Sequence, residues 1–345
     1  MKRLIAITML AGLTMTAGAQ ANKWFQDIKL SGYGMVQYQA SDKEGAEQNQ
    51  FNLRLVRVAL DGRVHDDFYW KLQMQVNGNA FDENASGKKN SLTIRMVDYF
   101  VEWQKYDFAR IKVGQFKRPF TFENPMHPIN QGFMSYSQNV SKLAGFADRT
   151  GEQASNGRDI GLQVQGDFLK NSDGRNLLHY QVGVFNGEGI NTGDADNRKD
   201  IIGGLWVMPI DGLRIGAFGW TGSRAGIGEK NRYALSAEYA RNDWTFRSEY
   251  IHSQGRGAAA TDGDKADGLY ALCIAPVIEK KMHVKARYDL YRSQKTWGSS
   301  KTFYEIGADY LFNKNLQLNV EYARVNERNG HYNYNLVDVE LDVRF

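Results

Sequence analysis

The sequence has one cysteine, Cys273, and five prolines among 345 residues. A single thiol excludes an internal disulfide framework and any cysteine-built zinc site. Average usage would give roughly 17 prolines in a chain this long, so most of the sequence is free of the residue that cannot donate to a hydrogen-bonded ladder. Long apolar runs are also missing. Mean hydropathy is −0.53, and beyond residue 21 nothing approaches the ~18 consecutive apolar positions of a spanning helix. No single sign of charge dominates either. Forty-three Lys and Arg meet 39 Asp and Glu, and their scatter argues against nucleic acid as a partner.

What is present begins with an export signal. Lys2 and Arg3 precede a mostly apolar stretch from Leu4 to Met15, and Ala19-Gln20-Ala21 fits an A-x-A cleavage site. Residues 1–21 therefore read as a secretory signal peptide, and residues 22–345 as the mature single domain. Removing Lys2 and Arg3, with no acid lost, lowers the net charge from +4 to +2.

Alternation then runs the length of the chain. In Phe68 to Asn77, Phe68, Trp70, Leu72, Met74 and Val76 share one face, while Tyr69, Lys71, Gln73, Gln75 and Asn77 share the other. Successive strand side chains point to opposite faces, so this pattern divides an apolar face from a wet one. It recurs in Met282–Leu290, Leu316–Tyr322 and Val337–Phe345, and no segment holds a 3.6-residue period. About sixteen such segments, from 28–40 to 333–345, predict an all-β chain.

Short turns such as Asp211-Gly212 and Asn242-Asp243 alternate with longer polar loops at Ser41–Gln50, Gly78–Ser91, Asn186–Lys199, Gly222–Asn231 and Ser253–Ala266. Strands of ~10 residues in a meander with unequal ends match an antiparallel transmembrane barrel. Aromatic residues near strand ends, among them Trp70, Trp103, Trp244, Tyr250, Tyr310 and Tyr322, suit the two membrane–water girdles. Closure satisfies every backbone polar group in lipid. The expectation is a 16-stranded outer-membrane barrel with lipid outside and water inside.

Three of the five prolines, Pro119, Pro125 and Pro128, fall in one irregular segment, Phe116 to Gly157. A connection this long is usually functional or disordered, and its many aromatics argue for order. Joining strands five and six, it is expected to fold into the lumen as a constriction; the alternative is a lid over the mouth. By register the lumen wall carries Arg57, Lys71, Arg110, Lys112, Arg214, Arg247, Lys285 and Arg287, and also Asp98, Glu102, Asp159, Glu238, Glu249, Glu305, Glu321 and Glu340. The loop adds Lys117, Arg118, Glu123, Lys142 and Arg149. Such mixed walls imply weak selectivity or a transverse field.

The segment Ile111-Lys112-Val113-Gly114-Gln115-Phe116-Lys117-Arg118-Pro119-Phe120-Thr121-Phe122-Glu123 resembles the signature of the phosphate-selective porin O and P family, in which V-G-Q-F-K leads into a P-F-x-x-E turn. The stretches Arg54–Gly62, Asp98–Glu102 and Val182–Gly187 resemble that family too. The resemblance implies a sixteen-stranded barrel, often trimeric, that passes small anionic solutes passively and carries no cofactor. The alternating end at Phe345 resembles the signal read by the barrel assembly machinery. The sequence departs from the family's arginine ladders, which leaves the solute open.

Other chemistry is weakly represented. The six histidines form no metal-ligand spacing. Asp194, Asp196 and Asp200 lack the glycine and glutamate that would complete a calcium loop. A barrel lipase or protease would need a serine grouped with a histidine, and His252-Ser253, the one tempting pair, are strand neighbours that face opposite ways. A non-pore surface scaffold would need longer external loops.

Overall fold

The computed structural model describes residues 26–78, 93–146, 148–150, 156–259 and 262–345. The expected signal peptide and most of the expected Gly78–Ser91 loop lie outside the described residues. Sixteen strands follow one another: β1 (Gln26–Ser41), β2 (Gln48–Val64), β3 (Phe68–Gly78), β4 (Thr93–Tyr106), β5 (Ala109–Lys117), β6 (Arg158–Lys170), β7 (Asn176–Phe185) and β8 (Asp200–Val207). The second half comprises β9 (Leu213–Arg224), β10 (Gly228–Arg241), β11 (Trp244–Gln254), β12 (Lys265–Ile278), β13 (Met282–Arg292), β14 (Ser300–Asn313), β15 (Leu316–Glu327) and β16 (Tyr332–Arg344). Each pairs antiparallel with its chain neighbours, and β16 closes on β1 from Tyr33↔Arg344 to Ser41↔Leu336. The result is one closed barrel, as the alternation predicts. Beyond the last strand, Phe345 exchanges two backbone hydrogen bonds with Gly32, of 2.9 and 3.0 Å.

The alternation sorts side chains by solvent. On β13, Val284 and Ala286 are exposed while Lys285, Arg287 and Asp289 are buried; on β15, Val320 and Tyr322 are exposed and Glu321 is buried. Apolar groups outside and charged groups inside is the inverse of a water-soluble barrel, and it fits a lipid surround. Aromatic stacks ring the short-turn end, where successive rings of Tyr106, Phe108, Phe168 and Tyr180 lie 5.3 to 6.4 Å apart.

Several strands run longer than the sequence suggests. The expected Gly222–Asn231 loop is mostly ladder, with Gly228 already opposite Arg224. Likewise β1 and β2 pair as far as Ser41↔Gln48. Outside the bilayer both faces of a strand meet water, so alternation fades while hydrogen bonding continues.

Candidate functional site: the loop inside the barrel

The connection between β5 and β6 is built from its root upward. Gly114 has φ +133, and a Cβ there would stand 2.2 Å from the Tyr99 carbonyl oxygen, so close approach of β4 requires glycine. Past Lys117, Pro119 cannot extend the ladder. Thr121 then takes φ +63, an unusual conformation for a β-branched residue. This reversal turns the backbone N–H groups of Phe122 and Glu123 toward β11, where both donate to Glu249 Oε1 at 2.6 and 3.0 Å.

The same reversal sends two rings into the wall of β8 and β9. Phe120 meets Trp220 edge-on at 5.5 Å, and Phe122 meets Trp206 and Phe218, each at 5.5 Å. They join a buried cluster with Phe116, Phe185, Ile202, Val140 and Leu143. Trp220 is crowded by cations, with Arg232 at 4.4 Å and Arg118 at 4.9 Å from its ring.

Farther on, the loop is tied by charged wall side chains. Arg247 donates to Gln131 O (2.5 Å), Lys285 to Gly132 O (2.9 Å), Arg287 to Ser135 O (2.8 Å) and Arg344 to Ile129 O (3.0 Å). Acids take the amides: Met134 N donates to Glu321 and Gln138 N to Asp289, at 2.9 and 2.8 Å. One short helix, α1 (Gln138–Leu143), follows with Val140 and Leu143 buried. Arg232 then binds Leu143 O at 2.7 Å and forks onto both oxygens of Asp148, also at 2.7 Å. These partners span β10 to β16, so the segment lies within the barrel rather than over its mouth. Burial opposes ionisation of Asp148, but the Arg232 charge and its two hydrogen bonds outweigh it and hold this carboxyl down at about 2.

Two cavities flank the loop. The larger, about 660 Å³, opens toward the long-loop end and is bordered by Tyr136, Lys142, Arg149, Tyr291 and Lys301, with Asp289, Glu305 and Glu327 among its acids. The smaller, about 240 Å³, lies against β3 to β7. Among the described residues, Lys71, Lys112, Lys117, Arg118 and Arg158 line it, with Asp98 as the single acid and Gln163, Gln165 and Gln181 as neutral polar groups. Its roof includes His127, whose Nε2 lies 3.4 Å from Lys71 Nζ. Burial and the Lys71 charge push this imidazole down to about 3, so it is neutral at ordinary pH.

Sequence reasoning placed eleven charged residues at the constriction, and the structure divides them. Lys71 and Lys112 border the smaller cavity, and Lys142 borders the larger one. Arg57 is buried on β2 beside the Tyr33 hydroxyl (3.1 Å). Arg110 pairs with Asp167 at 2.7 Å, and Asp98 with Arg158 at 2.6 Å. Glu102 accepts from Gln104 at 2.9 Å, with Lys112 3.9 Å away. Of the loop's own charges, Arg118 and Glu123 are both 0 % exposed, although Arg118 borders the smaller cavity. Arg118 pairs with Asp159 at 2.8 Å, and Glu123 accepts from the Ser137 hydroxyl with Arg247 3.9 Å away. Lys117 donates to Asn124 O and the Tyr136 hydroxyl, and Arg149 to the carbonyls of Gly255 and Gly263, so their donors hold the fold of the loop. An ion in so dry a place must be paired, which is why these charges turn inward to partners.

Arg158, Asp148 and Arg232 are important residues that sequence reasoning missed. Arg158 and Asp159 are neighbours yet both are buried in ion pairs, because alternation fails where β6 emerges from the loop. No motif marks Arg232 or Asp148. Arg232 shares the inward face of β10 with Lys230, Ser236 and Glu238, and Asp148 lies in the irregular loop, so neither stands out by pattern. His252 and Ser253 take alternate positions on β11, with the His252 ring 5.0 Å from that of Tyr233, and both are buried.

With this geometry in view, the comparisons decide the family. The family profile described as Gram-negative porin matches residues 6–330. The chain belongs to the Gram-negative porin family. Among solved structures it is similar to an anion-selective porin from Comamonas acidovorans, at 15 % identity, TM-score 0.68, covering 93 % of this chain and 100 % of that one. It is similar as well to OmpF of Salmonella typhi, described in complex with daunomycin, at 14 % identity, TM-score 0.69 and coverage of 94 and 99 %. The outer-membrane channel DcaP of Acinetobacter baumannii matches at 12 % identity, TM-score 0.62 and coverage of 92 and 97 %. No curated protein matches the sequence closely. This porin is thus an outer-membrane channel protein. The finding is broader than the phosphate-selective O and P resemblance of Gly114–Glu123.

Proposed function

We propose that this porin passes small hydrophilic solutes by passive diffusion around its internal loop, with a weak preference for anions. The observation carrying this reading is the smaller cavity, where Arg158 is matched by Asp98 and Arg118 by Asp159. Lys71 is left as surplus positive charge, and Lys112 is only loosely offset by Glu102 at 3.9 Å. Ammonium groups can briefly replace water around a carboxylate or phosphate, and passage needs such weak, sequential contacts. The preference is weak because Asp338, Glu340 and Asp342 stand on β16, a few strands away around the closed wall, with Arg54 at 3.1 Å from Glu340.

The P-F-x-x-E motif works here as a hinge for the loop, with Thr121 turning the chain and Phe120 and Phe122 seating it. Nothing in that role selects phosphate over other anions. A Vibrio cholerae outer membrane protein of like fold is described in a trimer form (12 % identity, TM-score 0.57), and a homotrimer is the assembly we propose for this chain. Outer-membrane lipid and the barrel assembly machinery, through Phe345, complete the partners. Planar-bilayer recording in asymmetric salt tests the reading. A reversal potential favouring anions is expected, moving toward cations in Lys71→Glu with Lys112→Glu. Cation preference in the unaltered protein, or no shift in the double variant, would overturn it.

A further inference from the structure

The smaller cavity holds more than positive charge. Inward positions of β5 to β7 set neutral amides beside its lysines: Lys112 stands opposite Gln163, and Gln165 opposite Gln181 one pleat nearer the short turns. Attracting an anion requires none of these amides, and their hydrogen bonds show what else they suit.

An ionised carboxylate only accepts hydrogen bonds. Glu102 takes one from Gln165 Nε2 at 2.5 Å, which turns the Gln165 amide oxygen toward Gln163, whose Nε2 donates to it at 2.8 Å. The chain Glu102–Gln165–Gln163 therefore has a fixed direction and ends on Gln163 Oε1. That oxygen is buried without a hydrogen-bond partner, on a side chain 3 % exposed. Nearby, the buried Gln181 side chain makes no hydrogen bond among the described residues.

An unpartnered acceptor is a poor neighbour for a bare anion, whose oxygens would face it, and a good one for a hydroxyl donor. The Gln181 amide, with a donor and an acceptor, suits a second hydroxyl. Lys71 and Lys112 stand on the same wall, with Lys112 Nζ over the Phe100 and Phe116 rings at 4.9 and 5.3 Å. A volume of about 240 Å³ is the share of roughly eight waters at ~30 Å³ each, room for one sugar ring and not for a chain of them.

From this arrangement we infer that the smaller cavity is a binding site for a monomeric sugar acid, its carboxylate on Lys71 and Lys112 and its hydroxyls on Gln163 Oε1 and the Gln181 amide. The inference rests on the anion preference proposed above and narrows it to anions that also carry hydroxyl donors.

The test is chloride current through the full-length porin in a planar bilayer, blocked in turn by glucuronate, glucose and propionate. Glucuronate should half-block at a concentration at least about tenfold below either of the others, the effect of one buried acceptor gaining its partner. Gln163→Met with Gln181→Met keeps side-chain size and removes the amides, and it should raise the glucuronate value to that of propionate. Heat-modifiable gel mobility establishes that the variant is folded, and the three-solute comparison on unaltered protein stands even if it is not. Equal block by glucuronate and propionate would overturn the sugar-acid site and leave an anion-favouring reversal potential untouched. Glucose blocking as well as glucuronate would take the lysines out of the site. Glucuronate and propionate weakening together in the amide variant would also count against it, since the amides would then only shape the cavity. A cation-favouring reversal potential would instead defeat the broader preference, and the ratio of blocking concentrations would still decide the site.

Discussion

The two halves of the wall hold the internal loop by different physics. Against β8 and β9 its root is seated by rings, with Phe120 and Phe122 packed on Trp206, Phe218 and Trp220. Against β11 to β16 the rest of the loop is suspended by hydrogen bonds, with Arg247, Lys285, Arg287 and Arg344 donating to its carbonyls and Asp289 and Glu321 accepting from its amides. Apolar packing tolerates small shifts and resists extraction as a block. A charge-assisted bond fixes one backbone atom and leaves water-filled space beside it. The difference explains how a barrel can contain a folded segment and still keep polar cavities on both sides of it. Rings fill the lumen where the loop enters, and long charged side chains prop it elsewhere.

The largest expected effect lies where the two modes meet. Arg232 stacks on Trp220 and also forks onto buried Asp148. Arg232→Ala should cost loop docking about 3–5 kcal/mol, because it strands a buried carboxylate. Limited proteolysis should then nick the loop while the barrel keeps its heat-modifiable mobility; a loop as resistant as in the parent would refute the linkage. Next comes the ring side. Phe122→Ala should cost about 3–5 kcal/mol by leaving a cavity in the cluster, read as a lower thermal unfolding midpoint in detergent.

The tip should respond differently. Asp289→Asn with Glu321→Gln weakens charge-assisted acceptors, each worth about 1.5–3 kcal/mol. Single-channel current noise should rise while the unfolding midpoint moves less than in Phe122→Ala. Equal shifts in both would erase the contrast between the halves. The smallest effect concerns pH. His127 in the unfolded chain takes up a proton near its ordinary value of 6.5, but in place only near 3, where Tyr33, Lys71, Asp98, Lys117 and Arg158 surround it. Between those values the unfolded chain binds more protons, so stability falls as pH drops through that window. His127→Gln should flatten that part of the stability–pH curve; an unchanged slope would free His127 of responsibility.

The barrel was legible because lipid and water impose opposite solvents on a period of two, which any strand such as Met282–Leu290 writes into its residues. The loop was legible as a break, from Pro119, Pro125 and Pro128. Its contents were less so. The helix Gln138–Leu143 is too short to display a helical period. Phe218 and Trp220 point inward from a strand whose outward positions include Ala217 and Gly219, so beyond Arg214 neither face of β9 looks wet and alternation says little about the rings. The roles of Arg118 and Glu123 were hidden for another reason: charge in a lumen segment says nothing about whether a partner such as Asp159 or Ser137 waits across the fold.

The most direct test of a water-filled passage beside the loop uses the chain's single cysteine. Cys273 faces outward and can be replaced by serine, after which Lys71→Cys places one thiol on the wall of the smaller cavity. During planar-bilayer recording, a bulky membrane-impermeant thiol reagent should lower the current in steps, and the Cys273→Ser parent should not respond. Current that stays level through complete labelling of the introduced thiol, verified by mass, would place the conducting path elsewhere and contradict the account.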